Sequence, residues 1–390
     1  MSSYHIPFNK PYLSGNETAY ITDAVKSGKI SGNGLYTHKC HQFFAQRYGF
    51  NKVLLTTSCT DALEMAAMLA NIQPGDEVIV PSYTFVSTAL AFIRQGARVI
   101  FADSRADNPN LDAEQVESLI TDRTKAIVPV HYAGIACDMD PLMALAQQYN
   151  LLVIEDAAQA LDACYKGRPL GGIGHLAAFS FHETKNIIAG EGGMLVINDE
   201  RFSKRAEIIW EKGTNRNEFF RGEVNKYGWV DIGSSFLPSE IISAFLYAQL
   251  ENIESIQNQR IMLWNYYYQA LLPLAQQGYV RLPYLPGYAT NNAHMFYLVC
   301  RNTHERSALI NALKEANILA VFHYLSLHKS DYYQTKHDGR QLIQADEYTD
   351  CLVRLPLFYE LTLAEIDEII AIIETLYQLR FHAETVNHHH

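Results

Sequence analysis

The apolar run Leu151-Leu152-Val153-Ile154 passes directly into Glu155-Asp156, and no other stretch of the 390 residues narrows the choice of fold as far. Consecutive apolar residues without polar alternation are what a strand covered on both faces requires, so this segment reads as one member of a parallel sheet. Open sheets of that kind bind ligands beyond the carboxyl ends of their strands, which places Glu155 and Asp156 at the mouth of a crevice. A second apolar segment at 176–181 reads as another buried strand, with Lys185 just past its end. An acid and a lysine thereby face one edge of one sheet.

Taken alone, such a pair is more often a salt bridge at a strand end than a site. Its surroundings shift the balance. Ser180 lies at the end of the second strand, glycines follow the lysine in Gly190-Glu191-Gly192-Gly193, and Ser58-Cys59-Thr60 lies between a strand at 53–57 and a helix at 60–72. A small-hydroxyl corner that opens a helix offers backbone N–H donors and the positive end of the helix dipole, which suits a phosphate. On its own it is equally a simple N-cap. Phosphate corner, acid and lysine together are what pyridoxal 5'-phosphate needs: the lysine forms a Schiff base, and the acid keeps the pyridine nitrogen protonated.

The remaining pattern supports the same architecture. Short apolar segments at 77–81, 98–102, 125–130 and 193–198 join those already named, with helical periodicity between several of them. That alternation predicts an α/β fold: a mostly parallel seven-stranded sheet with helices on both faces. Beyond long helices at 239–277, strands at 280–282, 295–299 and 319–324 with helices at 305–317 and 363–379 predict a smaller C-terminal α/β domain. We divide the chain into a large domain, 6–250, a small one, 251–382, and a tail, 383–390. His388–His390 read as a tag remnant and are set aside with residues 1–5.

A net charge of −11 argues against nucleic acid as a partner but says nothing about one pocket. The six cysteines form no C-x-x-C pair, so reduced thiols are expected, with neither disulfides nor zinc. His323 and His328 lack a carboxylate or cysteine to complete a metal set, and no metal is expected. No segment reads as a signal peptide or has the uninterrupted apolar length that spans a bilayer, so the expected location is cytoplasmic, with no membrane partner.

Three motifs in register, Glu155-Asp156-Ala157-Ala158-Gln159-Ala160, the Ser-Phe-x-x-x-Lys-Asn of Ser180 to Asn186, and Gly190-Glu191-Gly192-Gly193, resemble the DegT/DnrJ/EryC1/StrS sugar aminotransferases. The resemblance covers nearly the whole chain and implies a fold type I pyridoxal phosphate enzyme acting on nucleotide-linked keto sugars. It implies the following roles. Lys185 is Schiff-base anchor and proton carrier, and Asp156 is an ionised partner of the pyridinium. Gln159 bonds the ring hydroxyl, Phe85 stacks on the ring, and Ser180 with Ser58, Cys59 and Thr60 holds the phosphate. Cys59 stands where the family has glycine, which strains the corner if a positive φ is needed. Ser235 replaces an asparagine that reaches the neighbouring subunit's phosphate, so a homodimer or higher oligomer with shared sites is expected.

Substrate contacts are expected from Asn33, Lys212 and Tyr324. An ordinary turn at Asn33, a core aromatic at Phe85 and solvated basic residues around Lys212 remain the competing readings of those positions. The implied reaction is transfer of an amino group from L-glutamate to dTDP-4-dehydro-6-deoxy-D-glucose, giving dTDP-4-amino-4,6-dideoxy-D-galactose for enterobacterial common antigen. A C3 ketone, a UDP carrier, or a regulatory protein that binds the cofactor without turnover are the alternatives. Lys185 argues against the related 3-dehydratases, which carry histidine at that position.

Overall fold

The computed structural model describes residues 4–387, so the residues read as a tag remnant lie outside it. Seven strands build the main sheet: β1 (Lys52–Thr56), β2 (Glu77–Pro81), β3 (Arg98–Ala102), β4 (Thr124–Ile127), β5 (Leu152–Asp156), β6 (Leu176–Ser180) and β7 (Gly193–Ile197). Their spatial order is β1-β7-β6-β5-β4-β2-β3. All pairings from β6 across to β3 are parallel, and β7 runs antiparallel to both of its neighbours.

Every central strand is apolar because both faces are covered. Alternate residues feed separate cores: Val80, Ile154 and Leu195 belong to one cluster, and Ile79, Val153 and Met194 to the other. Each such side chain contributes about 1.5–3 kcal/mol when fully buried, which is why the middle of β5, β6 and β7 is uninterrupted by polar residues. In β5 the acids come at the carboxyl end, where the strand leaves the sheet.

A second, three-stranded antiparallel sheet comprises β8 (Val280–Arg281), β9 (Phe296–Cys300) and β10 (Leu352–Leu355). The expected strand at 319–324 is not formed; it makes only a single bridge, Val321 to Arg354. The third strand is β10 instead. It follows the helix Ile343–Cys351 with no intervening turn residue, so helix and strand merge into one unpunctuated run in the sequence. The helix Leu35–Tyr48, also not foreseen, begins at Gly34 where Glu240 accepts the N–H groups of Gly34, Tyr36 and Thr37 at 3.0, 2.7 and 3.1 Å. Its cap lies some two hundred residues downstream. Among the described residues no helix is long and apolar enough to cross a membrane, no His/Cys/Asp/Glu cluster could hold a metal, and all six cysteines are unpaired.

Candidate active site

Strand register brings the motif residues to one edge. Asp156 lies level with Ala178, and Gly193 lies opposite both Thr56 and Ser180, so the ends of β1, β5 and β6 meet the start of β7. Adjacent strand residues point to opposite faces, and this separates the two acids. Glu155 turns away from the crevice and is fully buried. It accepts N–H groups from Gly171, Ile173 and Gly174 at 2.8, 2.8 and 2.6 Å, and pairs with His131 Nε2 at 2.9 Å. Because His131 Nδ1 accepts the Cys137 N–H at 3.1 Å, the ring donates from Nε2 to Glu155. Burial pushes the Glu155 pKa up, but His131 and the backbone donors outweigh it and hold the carboxyl below its usual range. The expectation that both acids sit at the mouth is therefore corrected: Glu155 anchors a loop, and Asp156 alone faces the crevice.

Asp156 Oδ2 accepts Thr88 Oγ1 at 2.7 Å and Oδ1 accepts the Ala158 N–H at 3.1 Å. Burial nevertheless lifts its pKa, and Thr88, Ala158 and the charge of Lys185 offset only part of that. In the chain by itself no cation directly bonds the carboxyl to hold it down; the expected ionised state belongs to its pairing with a pyridinium. Lys185 is shifted the other way. Burial lowers its pKa to about 8; Cys59 and Asp156 oppose that shift and the charge of Arg354 adds to it. A neutral amine is therefore available close to neutrality. Modification of Lys185 in the cofactor-free protein by an amine-selective aryl sulfonate, mapped by peptide mass, should rise with pH and level off above about 8, while exposed lysines keep accelerating toward about 10.4.

At the end of β1, Ser58 is extended (φ −158°) and its Oγ accepts the Asp61 N–H at 3.1 Å, starting the helix Cys59–Leu69. Among the described residues the N–H groups of Cys59 and Thr60 have no acceptor, and Thr60 Oγ1 lies 2.8 Å from Ser87 Oγ. Cys59 opens the helix with ordinary backbone angles, so replacing a glycine there costs no strain. The glycine this corner does need is Gly193, where an added Cβ would lie 2.3 Å from the Ser58 carbonyl and 2.4 Å from Cys59 N. Since the obstacle is backbone, Gly193→Ala should destabilise the protein by about 1–3 kcal/mol or more and loosen phosphate binding. A thermal melt with and without cofactor reads both effects.

Gln159 Oε1 accepts the Ala133 N–H at 2.6 Å, and Nε2 donates to Tyr324 OH at 2.9 Å. Phe85 precedes the helix Val86–Ile93 that carries Thr88; the residue is 56% exposed and its ring lies 6.3 Å from that of Tyr324. A core aromatic would be covered, so the competing reading of Phe85 fails. Ser180, at the end of β6, accepts the His182 N–H at 3.3 Å through its Oγ.

Asn33, Lys212 and Ser235 are not in this cluster. They line a separate cavity of about 970 Å³ together with Lys52, Arg216 and Trp210, and neither Lys185, Asp156, Gln159 nor the Ser58-Cys59-Thr60 corner lines it. Asn33 bonds Asn217 at 3.3 Å, and Lys212 adopts a left-handed φ of 64° with Nζ 3.9 Å from Glu211. One backbone bond, Thr57 N–H to Phe236 O at 3.0 Å, ties the Ser235 segment to the Ser58 corner.

Several residues that bear on the site escaped the sequence reading. Thr88 had a signal, since it lies three positions after Phe85 and so on the same face of that turn. Asn186 had less. Its Nδ2 donates to Gln257 Oε1 and Asn292 O, both at 2.8 Å, and its Oδ1 accepts His294 Nδ1 at 2.9 Å. Asn292 Nδ2 in turn holds the carbonyls of Gln159 and Leu161 at 2.7 and 2.9 Å. The lysine loop and the Asp156–Gln159 turn are thus clamped by one segment from beyond residue 290.

Comparison with known proteins agrees with this arrangement. The DegT/DnrJ/EryC1/StrS aminotransferase family matches over residues 11–374. The spore coat polysaccharide biosynthesis protein SpsC of Bacillus subtilis (strain 168) is 31% identical, with 96% of this chain and 97% of SpsC covered. Among solved structures, S. venezuelae DesV in complex with a ketimine intermediate superposes with a TM-score of 0.86 at 29% identity, covering 95% of this chain and 98% of DesV. Spr1654 from Streptococcus pneumoniae in its PLP-form gives 0.87 at 26% identity, with 96% and 99% covered. The chain is therefore a member of the DegT/DnrJ/EryC1/StrS aminotransferase family.

Proposed function

We propose that this enzyme binds pyridoxal 5'-phosphate and transfers the amino group of L-glutamate to dTDP-4-dehydro-6-deoxy-D-glucose, giving dTDP-4-amino-4,6-dideoxy-D-galactose and 2-oxoglutarate for a cell-surface polysaccharide such as enterobacterial common antigen. The observation that carries the cofactor part is the meeting at one sheet edge of Lys185, Asp156, an exposed Phe85 ring and two helix-opening N–H groups without acceptors. These residues fit the cofactor. The amides of Cys59 and Thr60 with the Thr60 and Ser180 hydroxyls would hold its phosphate, Asp156 the ring nitrogen, Gln159 the ring hydroxyl and Phe85 the ring face.

When bound, the cofactor supplies an electron sink that acidifies the carbon next to the transferred nitrogen. Lys185 Nζ, half neutral near pH 8, would be the group that accepts and returns the proton of the donor α-carbon. Asp156 stays charged once a ring N–H donates to it, and Thr88 and Ala158 fix its orientation.

Asn33, Lys212 and Ser235 complete the site of a second copy of this chain in our reading. It is supported by their grouping in one cavity away from Lys185, and by exposed apolar residues on the neighbouring segment, among them Trp229 (85% exposed) and Ile232. The test is an assay of the purified protein with L-glutamate and a panel of dTDP- and UDP-linked 3- and 4-keto sugars, with products read by mass and proton couplings. Turnover with the dTDP-linked 4-ketone above the others supports the reading. Preference for a 3-ketone or a UDP carrier replaces the substrate while keeping the chemistry, and no amino transfer to any of them ends it.

A further inference from the structure

The groups that must meet on the cofactor hang from loops, not from the sheet. The ladder between β5 and β6 ends with Asp156 level with Ala178. Lys185 lies five residues beyond the end of β6 at Ser180, and Gln159 three beyond the end of β5 at Asp156. Strand pairing therefore leaves their separation open, and one residue spans the gap. Asn292, 1% exposed, donates through Nδ2 to the carbonyls of Gln159 and Leu161 at 2.7 and 2.9 Å, and its own carbonyl accepts Asn186 Nδ2 at 2.8 Å. Asn186 is the next residue after Lys185. Both hydrogens of the Asn292 amide thus go to the turn that carries Gln159, and its backbone goes to the loop that carries the lysine.

Asn292 is itself held. Its Oδ1 accepts the His294 N–H at 3.0 Å, and the residue between them, Ala293, takes a left-handed φ of 50° that few residues other than glycine adopt readily. The carbonyls of Ala293 and His294 accept Arg260 Nε and Nη2 at 3.1 and 2.7 Å. Arg260 comes from the helix Ile253–Gln276, which also supplies Gln257, the second acceptor of Asn186. Gly134 adjoins the Ala133 N–H that orients Gln159, and a Cβ added there would overlap Asn292 Oδ1. Backbone strain locked in place between two functional loops points to a constraint on the site they form.

We infer that Asn292 is a positioning residue for the cofactor linkage: it fixes how far Lys185 stands from the turn that holds the ring, so that Nζ meets the aldehyde carbon. The inference rests on Lys185 as the anchor, proposed above. Linkage joins Nζ to that carbon and releases one water, and its extent depends on how closely the two are held within reach. Phosphate and ring contacts form with or without it.

The test compares two ligands of the cofactor-free protein. Pyridoxal 5'-phosphate can form the linkage; pyridoxine 5'-phosphate carries the same phosphate, ring nitrogen and ring hydroxyl but an alcohol in place of the aldehyde. The ratio of their dissociation constants isolates the linkage. Asn292→Ala should cut the parent's preference for the aldehyde by about 10–100-fold, the scale of a misplacement of about 1 Å, while pyridoxine 5'-phosphate binding changes by no more than about fivefold. Asn186→Ala frees the lysine loop and leaves the Gln159 turn clamped, so it should show the same selective loss. The double variant should lose no more than the larger single, because both substitutions release one spacing. Equal weakening of both ligands, or additive losses in the double variant, would mean that these asparagines only support the fold and would overturn the inference. Should Asn292→Ala not fold, Asn186→Ala decides alone: a selective loss upholds the spacing, and an unchanged preference refutes it. The anchor is checked separately, since borohydride reduction of the loaded parent must label Lys185. Label elsewhere overturns the anchor and this inference with it, whereas label on Lys185 with unselective variants overturns this inference alone.

Discussion

Lys185→Ala should abolish amino transfer, by about 10⁴-fold or more, and remove the visible absorbance of the bound cofactor, because anchor and proton carrier disappear together. Lys185→Arg should fare no better, since a guanidinium keeps the charge but neither condenses with an aldehyde nor gives up a proton near neutrality. A small primary amine added to Lys185→Ala should restore part of the rate if the lost group is a base. Stability moves in the opposite direction. With a folded pKa near 8 against the ordinary 10.5, the native chain binds fewer protons than the unfolded one between those values, so lysine-linked stability rises with pH across that window. Melts of the cofactor-free protein should show that rise in the parent and lose it in Lys185→Ala. Full activity in either variant would contradict the assignment.

Asp156→Asn should cost about 10²–10³-fold in turnover, the scale expected when a preorganised charge at the reacting group is removed. The amide fills the same space and can keep one contact with Thr88, so the loss reports charge rather than collapse. Here too the cofactor-free protein gives an independent reading. A carboxyl whose folded pKa is raised binds more protons in the native state, so stability falls as pH climbs through the interval between its unfolded and folded values. At neutral pH the buried charge is a liability, and Asp156→Asn should raise Tm without cofactor while weakening cofactor binding. A lower Tm without cofactor would mean that Asp156 supports the fold and is not poised for a ligand.

The central geometry was legible because it depends on local signals. Uninterrupted apolar runs marked β5 and β6, and the residues just past their ends had to lie at one edge. Cofactor and substrate candidates were not separable by that logic. Asn33, Lys212 and Ser235 lie far along the chain from the strand ends, and only the folded structure shows them gathered in another cavity. Glu155 misled because a run of two acids looks like one feature, whereas a strand sends neighbours to opposite faces.

Other silences have the same origin. Glu240 reads as a first-turn acid of its own helix, yet it caps the helix Leu35–Tyr48 from a distance no window can span. Asp162 takes a left-handed φ of 67°; its carboxylate meets Arg47 at 3.0 Å and Tyr48 OH at 3.1 Å.

Borohydride reduction of the native, cofactor-loaded protein followed by peptide mapping tests the claim on which the rest depends. A single reduced pyridoxyl group carried by Lys185, with Asp156→Asn showing less of it at limiting cofactor, is the predicted result. Label on a different lysine, or none on any, would contradict it.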